Sequence, residues 1–539
     1  MKVFGKLVDI HARNIYQACI NIKDGMIESI ERSNSTRDVF IIPGLIDSHI
    51  HIESSMVTPG AFAMTAVKHG TCGVVSDPHE IANVLGIKGV EYMISDAKQV
   101  PLNFFFGAPS CVPATIFERN GANLDSGEVK KLLGMQEVKY LSEMMNFPGV
   151  IHNDIEVIKK LNYAKEQGKP IDGHAPGLIG NALIKYIEAG ISTDHECSSL
   201  EEAKEKISHG MKILIREGSA AKNLNSLKSL FNTNPDMVML CSDDLHPEML
   251  QKRHINKLIA GLISEGFNVF DVIRSATINP SEHYALNAGL LRPGDSADFI
   301  LVDSLEKMNV QETWIKGKKV FSNGKVMFKY KEGRPINNFN CGQVNESDIK
   351  VKNRFRDIRI IVAEEGELIT TEIHGSSGGS EYVNSDIGTD LLKIVVKDRY
   401  KDSPPAVGFI KGFGLKQGAF ASSVAHDSHN IISVGTNDHD IVNSINEIVR
   451  LKGGLAVYSG NTIESLQLNI GGIMTTRSID EIAHDYDKLN QLVNSLGCKM
   501  KAPFMTLSFM ALLVIPDLKI GDQGLFDVKK FEKVSLFVD

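Results

Sequence analysis

The feature that most constrains how this chain can fold is a series of eight short apolar runs in its first half. They end near Ile50, Ser76, Gly107, Ser142, Gly173, Asp194, Arg216 and Ser242. Their spacing, roughly 20 to 35 residues, is the length a strand–helix–strand crossover takes. Helical periodicity fills the intervals. Ile155, Ile158, Leu161 and Ala164 recur at steps of three until Gly168 and Pro170 interrupt them. Ala182, Leu183, Tyr186 and Ile187 do the same ahead of Gly190. Eight alternating units predict a (β/α)8 barrel in the α/β class. An open, doubly wound parallel sheet is the competing arrangement.

A chain of 539 residues exceeds one core and is expected to divide. Residues 1–40 read as short strands, with Asp24-Gly25 as a hairpin turn between Ala18–Ile22 and Met26–Ile30. A second strand-rich stretch spans Ala297–Val302 and Thr313–Lys318, so two pieces flanking the barrel can pair into one unit. Asn337-Asn338-Phe339-Asn340 reads as a linker. The expected organisation is 1–42 plus 286–336 as a small β-sandwich, 43–285 as the barrel, and 337–539 as an additional α+β unit.

Composition narrows the function. A net charge of −8 argues against a nucleic-acid partner, which would favour a basic face. The N-terminus lacks the apolar stretch of a secretory signal. The longest apolar patch, Phe504 to Ile515, is too short for a bilayer and is expected to be buried. Seven scattered cysteines, never in a C-x-x-C, form neither a disulfide framework nor a zinc knuckle. A reducing cytoplasm is the simplest reading, with Cys197 and Cys241 as packing residues.

In a parallel barrel, functional side chains gather at the C-terminal ends of the strands. Those ends carry a consistent set: His49 and His51, Glu143, His174, His195 and Asp243. Residues two apart in a strand share a face, so His49 and His51 project together. Four imidazoles and two carboxylates at one rim suit a pair of divalent ions bridged by Glu143. Such a pair would share a hydroxide, and Asp243 is placed to bind one ion and shuttle the proton to a leaving group.

The run Pro43-Gly44-Leu45-Ile46-Asp47-Ser48-His49-Ile50-His51 resembles the opening signature of the amidohydrolase superfamily. Longer strings narrow the likeness: His51–Ser55, Ser76–Val84, Gly107–Pro113, Ser142–Val150, Asp172–Pro176 and Ser242–Pro247. Together they resemble the bacterial adenine deaminase family, nearly end to end. The resemblance implies a distorted (β/α)8 barrel with a small β-sandwich and an extra C-terminal domain. It also implies two divalent ions, Mn2+ or Fe2+, and hydrolysis of free adenine to hypoxanthine and ammonia. Many superfamily members bridge their metals with a carbamylated lysine; Glu143 stands at the matching position, and Lys139 is expected to point elsewhere.

Secondary candidates are Glu53 as a proton donor or acceptor, and Asp77, His79, Glu80 and His429 as substrate-binding groups. Asp77 also fits a helix cap followed by Pro78. His426 and His429 fit structural roles as readily as an active-site cap. Asp244 and His246 are expected to face solvent, and Asp194 and Glu196 to point away from the site if the strand continues. Gly412, Gly414 and Gly418 do not match a dinucleotide fingerprint. His51-Ile52-Glu53 mimics half of a polynucleotide deaminase motif, but no Pro-Cys-x-x-Cys follows. Two alternatives share the scaffold: cyclic amide hydrolysis of the dihydroorotase or hydantoinase kind, and a non-catalytic binding protein. A homo-oligomer is the base-rate expectation.

Overall fold

A computed structural model describes residues 1–219, 221–365 and 367–538. Eight parallel strands stand where the apolar runs predict them: Leu45–Ile50, Thr71–Ser76, Asn103–Ala108, Val138–Met144, Ile171–Gly173, Thr193–Asp194, Lys212–Arg216 and Val238–Cys241. The first five form one sheet and the last three another. The Ser192 amide donates to the Ile171 carbonyl at 2.9 Å across one seam. At the other, Ile50 bridges Asp243 in parallel and the Asp243 amide reaches the His49 carbonyl at 3.0 Å. The eighth strand therefore neighbours the first, which an open sheet does not allow. The barrel is distorted: the fifth and sixth strands are only three and two residues long. Helices on its outside bury their inner faces, as Ile155–Glu166 does through Val157, Leu161 and Ala164.

The flanking strands pair as expected. Phe40–Pro43 runs antiparallel to Phe299–Val302, joining residues from both sides of the barrel into one eight-stranded sheet. Asp24 (φ 50°) and Gly25 (φ 82°) make its tight hairpin, where two positive φ values suit the strands' twist. A bridge from Met26 to Ser296 curls the sheet over a core that includes Ile20, Ile41 and Trp314.

The C-terminal unit is built on a second eight-stranded sheet, flanked by the helices Asp438–Leu451 and Ile479–Ser495. The linker Asn337–Asn340 contains no helix or strand, and Asn338 donates to the Val84 carbonyl at 3.2 Å. The unit lies against the barrel mouth: Thr58 and Met56 exchange backbone hydrogen bonds with Thr475 at 3.0 and 2.9 Å. One continuous apolar core runs through both, from Ile50 and Ile81 to Leu468 and Phe504. The Phe504–Ile515 patch is buried, its first part the helix Pro503–Phe509. Among the described residues no helix is long and apolar enough to cross a membrane.

Candidate active site and metal centre

Strand geometry brings the six expected ligands together at one end of the barrel. His49 Nε2 lies 3.2 Å from His51 Nε2, and Asp243 Oδ1 lies 3.6 and 3.2 Å from the two. On the other side, Glu143 Oε2 lies 2.9 Å from His174 Nδ1 and 3.1 Å from His195 Nε2, which are 3.3 Å apart. Glu143 Oε1 turns the other way, 3.5 Å from His51 Nε2. Ligands about 2.0–2.2 Å from a cation stand about 3.0–3.6 Å apart in octahedral or tetrahedral arrangements. Both triangles have roughly those edges, and Glu143 spans them. His51 Nδ1 is tied to the Asp77 carbonyl at 3.1 Å, which leaves Nε2 as its donor, the backing a ligating imidazole needs. The residues fit a divalent pair.

A layer beneath holds these ligands. Asp47, fully buried, accepts from the amides of His49 at 3.3 Å and Ser242 at 3.0 Å, and from His254 Nε2 at 2.8 Å. It thereby ties the ends of the first and eighth strands. Asp243 itself has φ 54°, a left-handed conformation that costs an L residue about 1–2 kcal/mol. Lys139, as expected, turns away to the Gln136 carbonyl.

The electrostatics run against simple burial. Burial would raise Glu143, but His174 and His195 hold it well below the usual carboxylate range. Burial would raise Asp243 too, and His49, His51 and Arg216 keep it low. His195 is penalised by burial yet raised well above its ordinary value by Glu143 and Glu196.

Two residues at the centre were not expected there. Glu196 is buried 3.2 Å from His195 Nε2 and 3.5 Å from His174 Nδ1, correcting the expectation that it points away. Regular strand ends at Asp194, so the alternation of faces does not extend to residue 196. Arg216, also buried, forks onto both Glu196 oxygens and reaches Asp243 Oδ2 at 2.8 Å. Asp194 does point outward, to Lys206 at 3.0 Å, and Cys197 donates to it. Asp244 and His246 are the second correction: neither faces solvent. Asp244 accepts from Ser54 Oγ at 2.5 Å and lines the cavity, and His246 meets the Tyr486 hydroxyl at 3.0 Å. Burial and then Asp243 push Asp244 upward.

The secondary candidates split. His79 and Glu80 line the cavity. Asp77, Glu53 and His429 are buried outside its lining. Asp77 Oδ1 accepts from the His79 amide at 3.1 Å, and Glu53 Oε1 from the Ile81 amide at 3.1 Å. Burial pushes Glu53 up to about 7. His429 reaches the rear of Glu80 at 2.5 Å while His426 holds its other oxygen. Above this polar floor the C-terminal unit supplies an apolar roof of Leu368, Phe509, Leu512, Val514 and Ile515, with Phe509 stacked on His426 at 4.9 Å. Lys519, fully buried, ties two roof segments by donating to the carbonyls of Leu368 at 2.6 Å and Phe509 at 3.1 Å.

Residues 40–320 match the amidohydrolase family, and residues 367–532 match the adenine deaminase C-terminal domain. Similar curated proteins carry the name adenine deaminase. That of Methanosarcina mazei is 49% identical over 100% of both chains, and that of Methanosarcina barkeri 50% identical over 99% of this chain and 98% of its own. The Salinibacter ruber protein is 48% identical over 100% of this chain and 99% of its own. At this identity over whole chains, and with this barrel, rim and roof, the chain belongs to the adenine deaminase family of the amidohydrolases.

Proposed function

We propose that the chain hydrolyses free adenine to hypoxanthine and ammonia, using two divalent ions, Mn2+ or Fe2+. His49, His51 and Asp243 would hold one, His174 and His195 the other, with Glu143 between them. The observation that carries the reading is one cavity lined by His51, Glu143, His174, His195 and Asp243 beneath an apolar roof, with His49 buried against Asp243. When bound, the ions supply Lewis acidity that lowers the pKa of an attacking water.

The chain's own residues supply the rest. Attack at C6 of the purine breaks the bond to the exocyclic nitrogen, which leaves as ammonia. Asp243, kept ionised by its imidazole neighbours and Arg216, accepts the proton of the attacking water and passes it to the leaving amine. The two protons of the attacking water balance the products, one on the departing ammonia and one on ring N1. Glu143, kept ionised by His174 and His195 and facing both triangles, would hold the ions rather than supply a proton. The roof excludes water and stacks on the ring, while Glu80, Asp244 and Glu196 offer acceptors to its polar edges. Glu53, His426 and His429 act from behind, fixing the helix His79–Leu85 and the Glu80 carboxylate. Assembly as a homo-oligomer belongs to the same proposal.

The test pairs metal analysis with ammonia release from a panel of aminopurines and cyclic amides. The reading expects two equivalents of metal per chain, hypoxanthine from adenine, and no opening of dihydroorotate or hydantoin. Full activity in Glu143→Gln or Asp243→Asn, or turnover of the cyclic amides alone, would overturn it.

A further inference from the structure

We propose a third divalent-cation site beside the pair, built from Asp77 Oδ2, His79 Nδ1 and the outward oxygen of Glu143, with His51 Nε2 closing its fourth side. His79 Nδ1 stands 3.2 Å from Asp77 Oδ2 and 3.4 Å from Glu143 Oε1, and His51 Nε2 stands 3.5 Å from the latter. All four atoms lie within 4.8 Å of one another. Donors on a cation at about 2.0–2.1 Å are separated by about 3.4 Å in a tetrahedron, close to these edges.

Two further observations point to a ligand. Asp77 Oδ2 and His79 Nδ1 are buried atoms with no hydrogen-bond partner, although they face each other. His79 Nε2 is likewise 3.7 Å from Glu80 and 3.9 Å from Asp427, beyond hydrogen-bond reach. Unpaired buried polar atoms are costly, so atoms aimed at a common point mark a place where something belongs. Four carboxylates, Asp77, Glu80, Glu143 and Asp427, surround this one ring, so a cation is the species the local charge favours. The mixed nitrogen and oxygen donors suit Mn2+ or Zn2+.

The site rests on the two-ion reading and adds a consequence to it. Glu143 Oε1 and His51 Nε2 cannot serve both places fully, so the third ion binds more weakly and takes donors from the catalytic pair. Excess metal therefore inhibits.

Metal-stripped protein is titrated with Mn2+ alone, and bound metal is counted by equilibrium dialysis while adenine turnover is followed in parallel. The expected result is two tight equivalents, then a third, weaker one whose filling lowers turnover. His79→Gln and Asp77→Asn keep the tight phase and lose the weak one. Binding that stops at two equivalents in millimolar Mn2+, or a third equivalent that persists in both variants, overturns the proposal. The tight phase reports separately on the pair: fewer than two tight equivalents in every protein refutes the two-ion reading, while a weak phase that disappears with His79 still establishes this site.

Discussion

Arg216→Met removes the one guanidinium that joins Glu196 to Asp243. Three charge-assisted contacts go with it, two to Glu196 and one to Asp243, all buried. Breaking a buried pair from one side leaves the partner charges uncompensated and costs about 3–5 kcal/mol. A thermal midpoint responds by about 2–4 °C per kcal/mol in a domain of this size, so a fall of about 6–20 °C is expected. The loss has a defined pH dependence. Arg216 and His174 hold Glu196 well below its ordinary value against burial. A depressed carboxylate contributes stability that is present above its unfolded pKa of about 4.3 and lost as pH falls toward the folded value. The gap between wild type and variant is therefore full at pH 6–8 and shrinks in acid. Neutralising one of the two stranded carboxylates as well, in Glu196→Gln/Arg216→Met, recovers part of the stability, because only Asp243 is then left without its partner. Activity does not return: Asp243 has lost the group that orients it, and a mispositioned general base costs about 100-fold or more in kcat. Differential scanning calorimetry at matched scan rates from pH 4 to 8, with ammonia release at pH 7, measures both. An unchanged midpoint in the single variant, or a double variant no more stable than the single, would refute the reasoning.

Four other outcomes are expected. Asp243→Asn retains fold and thermal midpoint within a few degrees but loses about 100- to 10,000-fold in kcat, read by steady-state ammonia release. Lys519→Met frees two roof carbonyls and loosens the roof, so KM for adenine rises more than kcat falls; equal loss in both would contradict the roof's role in binding. His426 is opposed by burial but raised to about 9, chiefly by Glu80. A raised imidazole stabilises fully below its unfolded pKa of about 6.5 and loses that contribution as pH climbs through 9, so the wild-type midpoint should fall over that window more than that of His426→Gln. Asp47→Asn leaves the six ligands in the sequence but weakens the tie between the first and eighth strands, so metal loss to a chelator is expected to be faster than in wild type.

Much of the site was legible because its chemistry is tied to strand ends. His49 and His51 share a face by the period of two, and Glu143, His174, His195 and Asp243 each follow a predicted apolar run. Glu196 was hidden because the sixth strand is two residues long, and alternation holds only while a strand continues. Arg216 carries no local signal: an arginine closing an apolar run reads as a solvent-facing terminus until Glu196 and Asp243 are seen on either side of it. The Asn-Asp-Gly-Pro punctuation marked turns correctly, as at Asp24-Gly25, but could not tell which turns lie over the cavity.

Periodicity and spacing by themselves determined the eight strand–helix units and which ligand-type side chains stand at the strand ends, since these depend on neighbours within one crossover. Only the tertiary structure decided that the C-terminal unit roofs the cavity, that His426 and His429 clamp Glu80 from nearly 350 residues away, and that Asp77 and His79 turn unpaired atoms toward Glu143. The physical reason is range: backbone geometry propagates over a few residues, whereas burial and charge pairing act between whatever surfaces the folded chain presses together.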